Sequence, residues 1–372
     1  MVCLHPKIAW QRDRHHIDAG KDAEWQKHLN KISFTPKGKG WTMIEIPCGK
    51  CDGCKVDRAS DWATRVMNEA SCWDNKGMFL TLTYNPACVP YSKNGKMTLR
   101  RKDVKDFKKR LRKYVEKKGL THIQIDNKNT IKTFECGEYG PTHGRPHYHM
   151  IVMNFEVNDL KPWKKTEEGN ILYKSKTIQK IWGNGFVVIG KISYESASYV
   201  ARYTMKKMGS QKRQREYYTD VKINPEGIPL LQTKFRIVET EEEAEYVGFS
   251  KGLGKEWLLK NIDNVYDNNG IMAVIKGKVV IKKIPNYYKK LMKKIDWLKF
   301  ERWKYQFSQL MEEMERKKIE KYTLPAEWDY ETKRKWYHEK RAKEIQEKLN
   351  KLWRKHAETP VNEKDDWYED IA

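Results

Sequence analysis

Long apolar runs are missing from this 372-residue chain: no stretch reaches the roughly 18 consecutive apolar residues that a membrane-crossing helix needs. The opening segment, MVCLHPKIAWQRDRHH, has no apolar core of the kind that directs secretion, so export by a signal peptide is not expected. Cysteine is scarce. Seven cysteines, an odd number placed unevenly, are too few for a disulfide scaffold and are expected as reduced thiols or metal ligands. Acidic residues are in deficit, with 50 Asp and Glu against 74 Lys and Arg, a net charge of +24. No internal repeat is found.

What is present points in one direction. Hydrophobic residues make up 39% of the chain, enough for a core over part of it. The charged fraction of 33%, against about 25% in an ordinary globular protein, makes another part solvated surface. The length suits two domains, or one domain with a long extension. A surplus of positive charge attracts phosphates by releasing their counterions, and 14 Trp, 20 Tyr and 10 Phe offer flat surfaces on which unpaired bases stack. Nucleic acid is therefore the expected partner, with an anionic membrane surface as the competing reading.

Along the chain, residues 1–56 read as an irregular segment bearing cysteines, ending in PCGKCDGCKVD. A helix is expected from about Ser60 to Ala70, where Ala59, Trp62, Ala63, Val66, Met67 and Ala70 recur at helical spacing. MFLTLTY, Met78 to Tyr84, reads as a strand stopped by Asn85-Pro86. A basic helix follows near Lys102–Lys118, its apolar stripe made by Val104, Phe107, Leu111 and Val115. IKTFECGE and HYHMIVMN read as a hairpin joined by YGPTHGRP, and FVVIGKI as a further strand after WGNG. Ser193 is placed to cap a helix running to about Met208. This order describes an α+β fold, helices packed on an antiparallel sheet. The expected divisions are 1–56, a catalytic core at 57–215, a mixed extension at 216–284, a basic helical region at 285–357 and an acidic tail at 358–372. Residues 220–280 carry little signal beyond the loop GFSKGLGKEW, and the basic region reads as one long helix from Asn286, interrupted at Pro325, then a second from Glu331 to His356. Trp297, Trp303, Trp336 and Trp353 recur among its cations, a pattern compatible with contact to DNA or to a helicase.

Three residue groups carry chemistry. His147 and His149 are two apart on an expected strand, so their imidazoles share a face while Tyr148 points away. Glu138, across the turn, is the natural third ligand. Glu135 is the fallback, and its odd offset from Glu138 aims it at the opposite face of a regular strand. A mixed nitrogen and oxygen set with open positions suits Mg²⁺ or Mn²⁺ acting on a phosphate, with Zn²⁺ also open. Hydrogen-bonded structural histidines are the alternative.

Tyr199 and Tyr203, four apart, place two phenols one turn apart on a helix face, with Lys206 on the same side and Lys207 less well aligned. A phenol with an ordinary pKa of about 10 attacks poorly, and an ammonium beside it and a metal-polarised phosphodiester would both help. Two aromatic residues of a packed helix face are the alternative. Cys48, Cys51 and Cys54 stand at C-x-x-C-x-x-C spacing, with Cys3 as a candidate fourth sulfur. A closed structural Zn²⁺ site, free thiols and an iron–sulfur cluster are the three readings.

In combination and order, FLTLTY, GEYGPTHGRPHYH and YVARYTMK resemble the three motifs of HUH-type rolling-circle replication initiators. The paired tyrosines of YVARY are similar to the two-tyrosine subgroup. The Cys-Leu-His-Pro start, PCGKCDGC, WGNGFVVIG and the SKGLG loop resemble the replication initiation proteins of gokushoviruses within the Microviridae, over roughly Met1 to Trp257. The resemblance implies an antiparallel-sheet HUH endonuclease domain of RRM-like or palm-like type, flanked by helices and followed by the basic extension. It implies His147 and His149 as metal-binding pair, Glu138 less securely as third ligand, Tyr199 and Tyr203 as nucleophiles and Lys206 beside them. It also implies site-specific nicking and joining of viral origin DNA, single-stranded, extruded or replicative-form duplex, in the cytoplasm of a bacterial host. No membrane contact is expected.

Overall fold

The computed structural model describes residues 3–12, 32–38, 41–124, 128, 130–140, 143–166, 169–206, 213–223, 229–239, 242–275 and 277–358; the side chains of residues 202–241, 349 and 352–358 lie outside the described set. In chain order the elements are β1 (Lys7–Arg12), β2 (Ile32–Ser33), β3 (Trp41–Ile46), α1 (Asp52–Ser71), β4 (Gly77–Tyr84), α2 (Arg101–Lys118), β5 (Lys132–Tyr139), β6 (Pro146–Met153), β7 (Lys161–Lys165), β8 (Ile171–Lys174), α3 (Lys176–Trp182), β9 (Gly185–Gly190) and α4 (Tyr194–Lys206). They continue with β10 (Arg213–Ile223), β11 (Pro229–Glu239), β12 (Tyr246–Phe249), α5 (Lys255–Asp267), β13 (Ile271–Ile275), β14 (Lys278–Lys282), α6 (Asn286–Ile295), α7 (Trp297–Ile319) and α8 (Tyr330–Glu358). The chain divides into two compact units, residues 1–57 with 304–372, and residues 58–303. Among the described residues no helix is long and apolar enough to cross a membrane.

The larger unit is built on a seven-stranded sheet in the order β12-β5-β6-β4-β9-β8-β7. Every neighbouring pair in it is antiparallel. Successive strand residues point to opposite faces, and both faces of this sheet are covered. On one, Leu80, Leu82 and Tyr84 of β4 and Tyr148, Met150 and Val152 of β6 pack under Val104, Phe107, Leu111 and Val115 of α2 and Trp182 of α3. On the other, Phe134 and Cys136 of β5 and Ile151 and Met153 of β6 pack under Ala63, Val66 and Ala70 of α1 and Ala197, Val200 and Ala201 of α4. Small alanines on α1 and α4 let those helices lie close to the sheet. The apolar stripe read in α2 is the buried stripe, so its Lys and Arg face outward, apart from Arg110, whose guanidinium donates to Ile181 O and Trp182 O at 2.8 Å.

The start of β9 needs glycine. Gly185 sits at φ 153°, and a Cβ there would come within 2.3 Å of Asn85 N. The start of α4 is closed by two serines: Ser196 N–H donates to Ser193 Oγ at 3.1 Å, and Ser193 N–H to Ser196 Oγ at 2.9 Å, a reciprocal capping box.

Three sequence expectations need correction. The stretch 220–280 is not without architecture: β12 joins β5 as the edge strand of the sheet, four residues too short to show a period of two. The seven-residue α3 and the β7–β8 hairpin were also not expected, for the same reason of length. The helix beginning at Asn286 is broken at Asp296, whose extended backbone and side chain, accepting from Lys299 N–H at 2.8 Å, start α7 afresh. The acidic residues 359–372 lie outside the described residues.

In the smaller unit β1 pairs antiparallel with β2 and β3. Helices α7 and α8 are tied by Arg334 and His338 to Glu315 at 2.9 and 2.7 Å, and by Tyr322 packed against Trp336 and Tyr337.

Candidate active site

Strand pairing assembles the site. In the β5–β6 ladder Glu138 stands opposite His147 and Cys136 opposite His149, so the carboxylate is directly across from one imidazole and diagonal to the other. Glu138 Oε1 lies 2.7 Å from Nε2 of both histidines. The rings stand nearly perpendicular, with centroids 5.1 Å apart. Glu138, His147 and His149 form a group whose ligand atoms all lie within 4.8 Å of one another, a set that could hold a metal ion. Glu135 is not part of it. Three positions earlier on β5, it points through the other face, where it pairs with Lys108 of α2.

Each imidazole is held by its other nitrogen. His147 Nδ1 lies 3.1 Å from Arg145 O, and because a carbonyl can only accept, Nδ1 carries the proton there. His149 Nδ1 lies 3.1 Å from Thr81 Oγ1 on β4. Such outer contacts fix ring orientation and leave Nε2 as the coordinating atom. Thr81 was not singled out in the sequence, where FLTLTY offered only a general supporting strand. Its signal is the alternation: Thr81 and Thr83 lie on the face opposite Leu80 and Leu82, the face of the histidine pair.

The electrostatics fit a cation. Glu138 and His149 are buried, His147 half-buried. Burial alone raises the Glu138 pKa, but the hydrogen bonds from the two imidazoles together outweigh it and hold the carboxyl below its ordinary value. Burial pushes the imidazole of His149 down, and the nearby carboxylate does not restore it; for His147 burial is overcome by Glu138, which raises it. Glu138 Oε2 is buried with no hydrogen-bond partner. A buried carboxylate oxygen left without a donor is costly in protein alone and natural beside a divalent ion. Two nitrogens and a carboxylate with remaining positions open suit such an ion.

Helix α4 brings a phenol to this set. Tyr199, half-buried, lies with its ring centroid 5.0 Å from that of His149, the rings at 85°. Phe79 of β4 stacks on His149 at 5.7 Å and meets Tyr199 edge-on at 6.3 Å. Tyr203 and Lys206 lie four and seven residues further along α4; their side chains fall outside the described residues, as does Lys207. Behind the site, on the opposite sheet face, Tyr84 donates to Asp103 at 2.8 Å and lies 3.0 Å from the Tyr148 hydroxyl, which anchors β6 from below.

The sequence profile of the replication-associated protein ORF2 family matches residues 77–208, from the first residue of β4 to just past α4. The chain is 28% identical to replication-associated protein ORF2 of Spiroplasma virus 4, over 80% of this chain and 82% of that protein. The chain belongs to this family of phage replication-associated proteins. It is also 33% identical to replication-associated protein VP4 of Bdellovibrio phage phiMH2K over 48% of this chain, and 30% identical to replication-associated protein ORF4 of Chlamydia phage 1 over 44%. The match spans 54% of the Bdellovibrio phage protein and 38% of the Chlamydia phage protein. The resemblance to gokushovirus replication initiation proteins thus holds. The family segment contains His147, His149, Glu138, Tyr199, Tyr203 and Lys206, and so the whole of the candidate site. No solved structure matches the chain.

Proposed function

We propose that this replication-associated protein nicks and rejoins one strand of the phage origin through a tyrosine, starting and ending rolling-circle replication in the host cytoplasm. The observation that carries the reading is the 5.0 Å approach of the Tyr199 ring to His149, which sets a phenol beside a two-histidine, one-carboxylate group. A packed aromatic with no chemical role would have no reason to lie at the rim of the polar set.

Glu138, His147 and His149 would hold Mg²⁺ or Mn²⁺, which supplies a Lewis acid to polarise the scissile phosphate. Thr81 and the carbonyl of Arg145 keep the imidazoles in register for that task. Tyr199 attacks the phosphorus: the Oη–P bond forms as the P–O3′ bond breaks, the phenol gives up its proton and the departing 3′ oxygen takes one up. The bond energy is kept in the tyrosyl ester, and the free 3′ hydroxyl primes synthesis. Lys206, on the same helix side, favours the ionised phenol. After one round Tyr203 attacks the regenerated junction, and the released 3′ hydroxyl attacks the first ester, restoring the phenol and closing a circle. Positioning and charge stabilisation supply most of the rate, as is usual in phosphoryl transfer. The partners are origin DNA, single-stranded or extruded and in its replicative duplex form, and by the basic C-terminal helices a host helicase.

The test is to incubate labelled origin DNA with the protein and Mn²⁺ and resolve the products in SDS. A protein–DNA adduct is expected. Cleavage without an adduct would assign a hydrolytic nuclease, and binding without either a non-catalytic DNA-binding protein.

A further inference from the structure

The smaller unit holds four thiols for which DNA nicking has no use. Cys3 precedes β1, Cys48 and Cys51 bracket the turn after β3, and Cys54 lies in the first turn of α1. Their sulfurs all lie within 4.8 Å of one another. Cys3 and Cys51 Sγ are 3.8 Å apart, and Cys48 and Cys54 Sγ 4.0 Å. A disulfide would need about 2.05 Å. Four sulfurs each about 2.3 Å from a central zinc ion form a tetrahedron with edges of about 3.8 Å. An iron–sulfur cluster puts several atoms between its cysteines and would hold the sulfurs further apart.

The backbone is arranged for sulfur carrying negative charge. Cys48 N–H donates to Cys3 Sγ at 3.2 Å, and Leu4 N–H to Cys51 Sγ at 3.3 Å. Cys51 N–H and Lys50 N–H both donate to Cys48 Sγ, at 3.3 and 3.5 Å. Gly49, at φ 73°, turns the chain so that these two amides face back on Cys48, a conformation that strains any residue with a Cβ. Four anionic sulfurs this close repel one another unless a cation lies among them.

We infer that Cys3, Cys48, Cys51 and Cys54 form a closed structural Zn²⁺ site. It ties the start of β1 to the end of β3 and to the head of α1, two segments more than 40 residues apart in sequence joined at one point. All four positions are filled by protein, so the ion has no open face for catalysis and acts on folding alone. Loading is balanced: one Zn²⁺ enters, four thiols become thiolates and four protons leave.

The experiment uses the full chain, purified from zinc-supplemented culture and dialysed against EDTA to strip weakly held divalent ions. Metal analysis is expected to find one zinc per chain. Titration with a mercurial should release that zinc as four thiols react, and cobalt replacement should give the intense visible bands of tetrahedral thiolate coordination. Cys48→Ser and Cys51→Ser should lose the zinc, while Cys72→Ser and Cys88→Ser keep it. Absence of zinc after reconstitution, iron in its place, weak octahedral cobalt spectra, or full zinc in Cys48→Ser would each overturn the assignment. Should the serine variants fail to fold, the mercurial titration of unaltered protein still decides. None of these readouts involves DNA, so they stand whether or not the nicking assay succeeds.

Discussion

Thr81 stands across the β4–β6 ladder from His149, its hydroxyl 3.1 Å from Nδ1 of the imidazole. The threonine acts on the site by holding a ring. Thr81→Val keeps the shape and removes the hydrogen bond. The Mn²⁺ concentration needed for half-maximal adduct formation should rise about tenfold or more, the usual cost of losing such an outer partner. The maximal rate at saturating Mn²⁺ should change far less. An unchanged Mn²⁺ dependence would remove the positioning role.

Tyr199→Phe and Tyr203→Phe should each retain part of the nicking activity, and the double variant none, by adduct formation on labelled origin DNA. Activity in the double variant at the level of the parent would end the nucleophile assignment.

Glu138→Ala should reduce Mn²⁺-dependent adduct formation by about a hundredfold, the upper end of the loss that removing a metal-site partner brings, measured at fixed protein and DNA. Glu135→Gln should leave it near the parent level, because Glu135 lies on the other sheet face with Lys108. Equal losses in both would mean that the effect is on folding.

Phe107 is fully buried between α2 and the sheet, packed edge-on against Trp182 at 5.9 Å. Phe107→Ala should cost about 3–5 kcal/mol in urea unfolding, the range for emptying a buried aromatic site.

The start of α3 carries a pH-dependent contact. Asp159 accepts from Thr177 N–H at 2.9 Å and from the Ser175 hydroxyl. Burial raises its pKa, and the hydrogen bonds from Ser175 and Thr177 more than reverse this, leaving it below the ordinary 3.8. A depressed carboxyl contributes its stability above the unfolded pKa and loses it as pH falls through the folded value. Asp159→Ala should therefore lower the melting temperature at neutral pH and narrow its difference from the parent below pH about 3.8. A constant difference across that range would exclude the linkage.

Much of the site was legible because its signals are local. His147 and His149 needed only the alternation of a strand, and the parity of Glu138 and Glu135 separated the ligand candidate from the residue bound to Lys108. What stayed hidden depends on partners distant in sequence. Neither the pairing of Thr81 with His149 nor the addition of β12 beside β5 has a local signature. The recurring tryptophans of the C-terminal region mislead in the same way. Trp303 is buried, donating to Asn269 at 2.8 Å and packed on Phe300 and Tyr266, and Trp336 packs on Tyr322 with Lys340 nearby. Aromatics among cations looked like a stacking platform for bases, yet these two spend their faces on the fold. Basic charge on a helix is a surface property, whereas what a tryptophan ring touches is decided by tertiary packing.

The sheet order leaves the β7–β8 hairpin at the margin opposite β12, three strands removed from β6. Its tip is closed by Thr166 N–H donating to Asn170 O at 2.8 Å. Lengthening that turn disturbs no strand that carries a site residue, so a fluorophore-bearing loop grafted there would report on DNA engagement while the cutting centre keeps its native spacing.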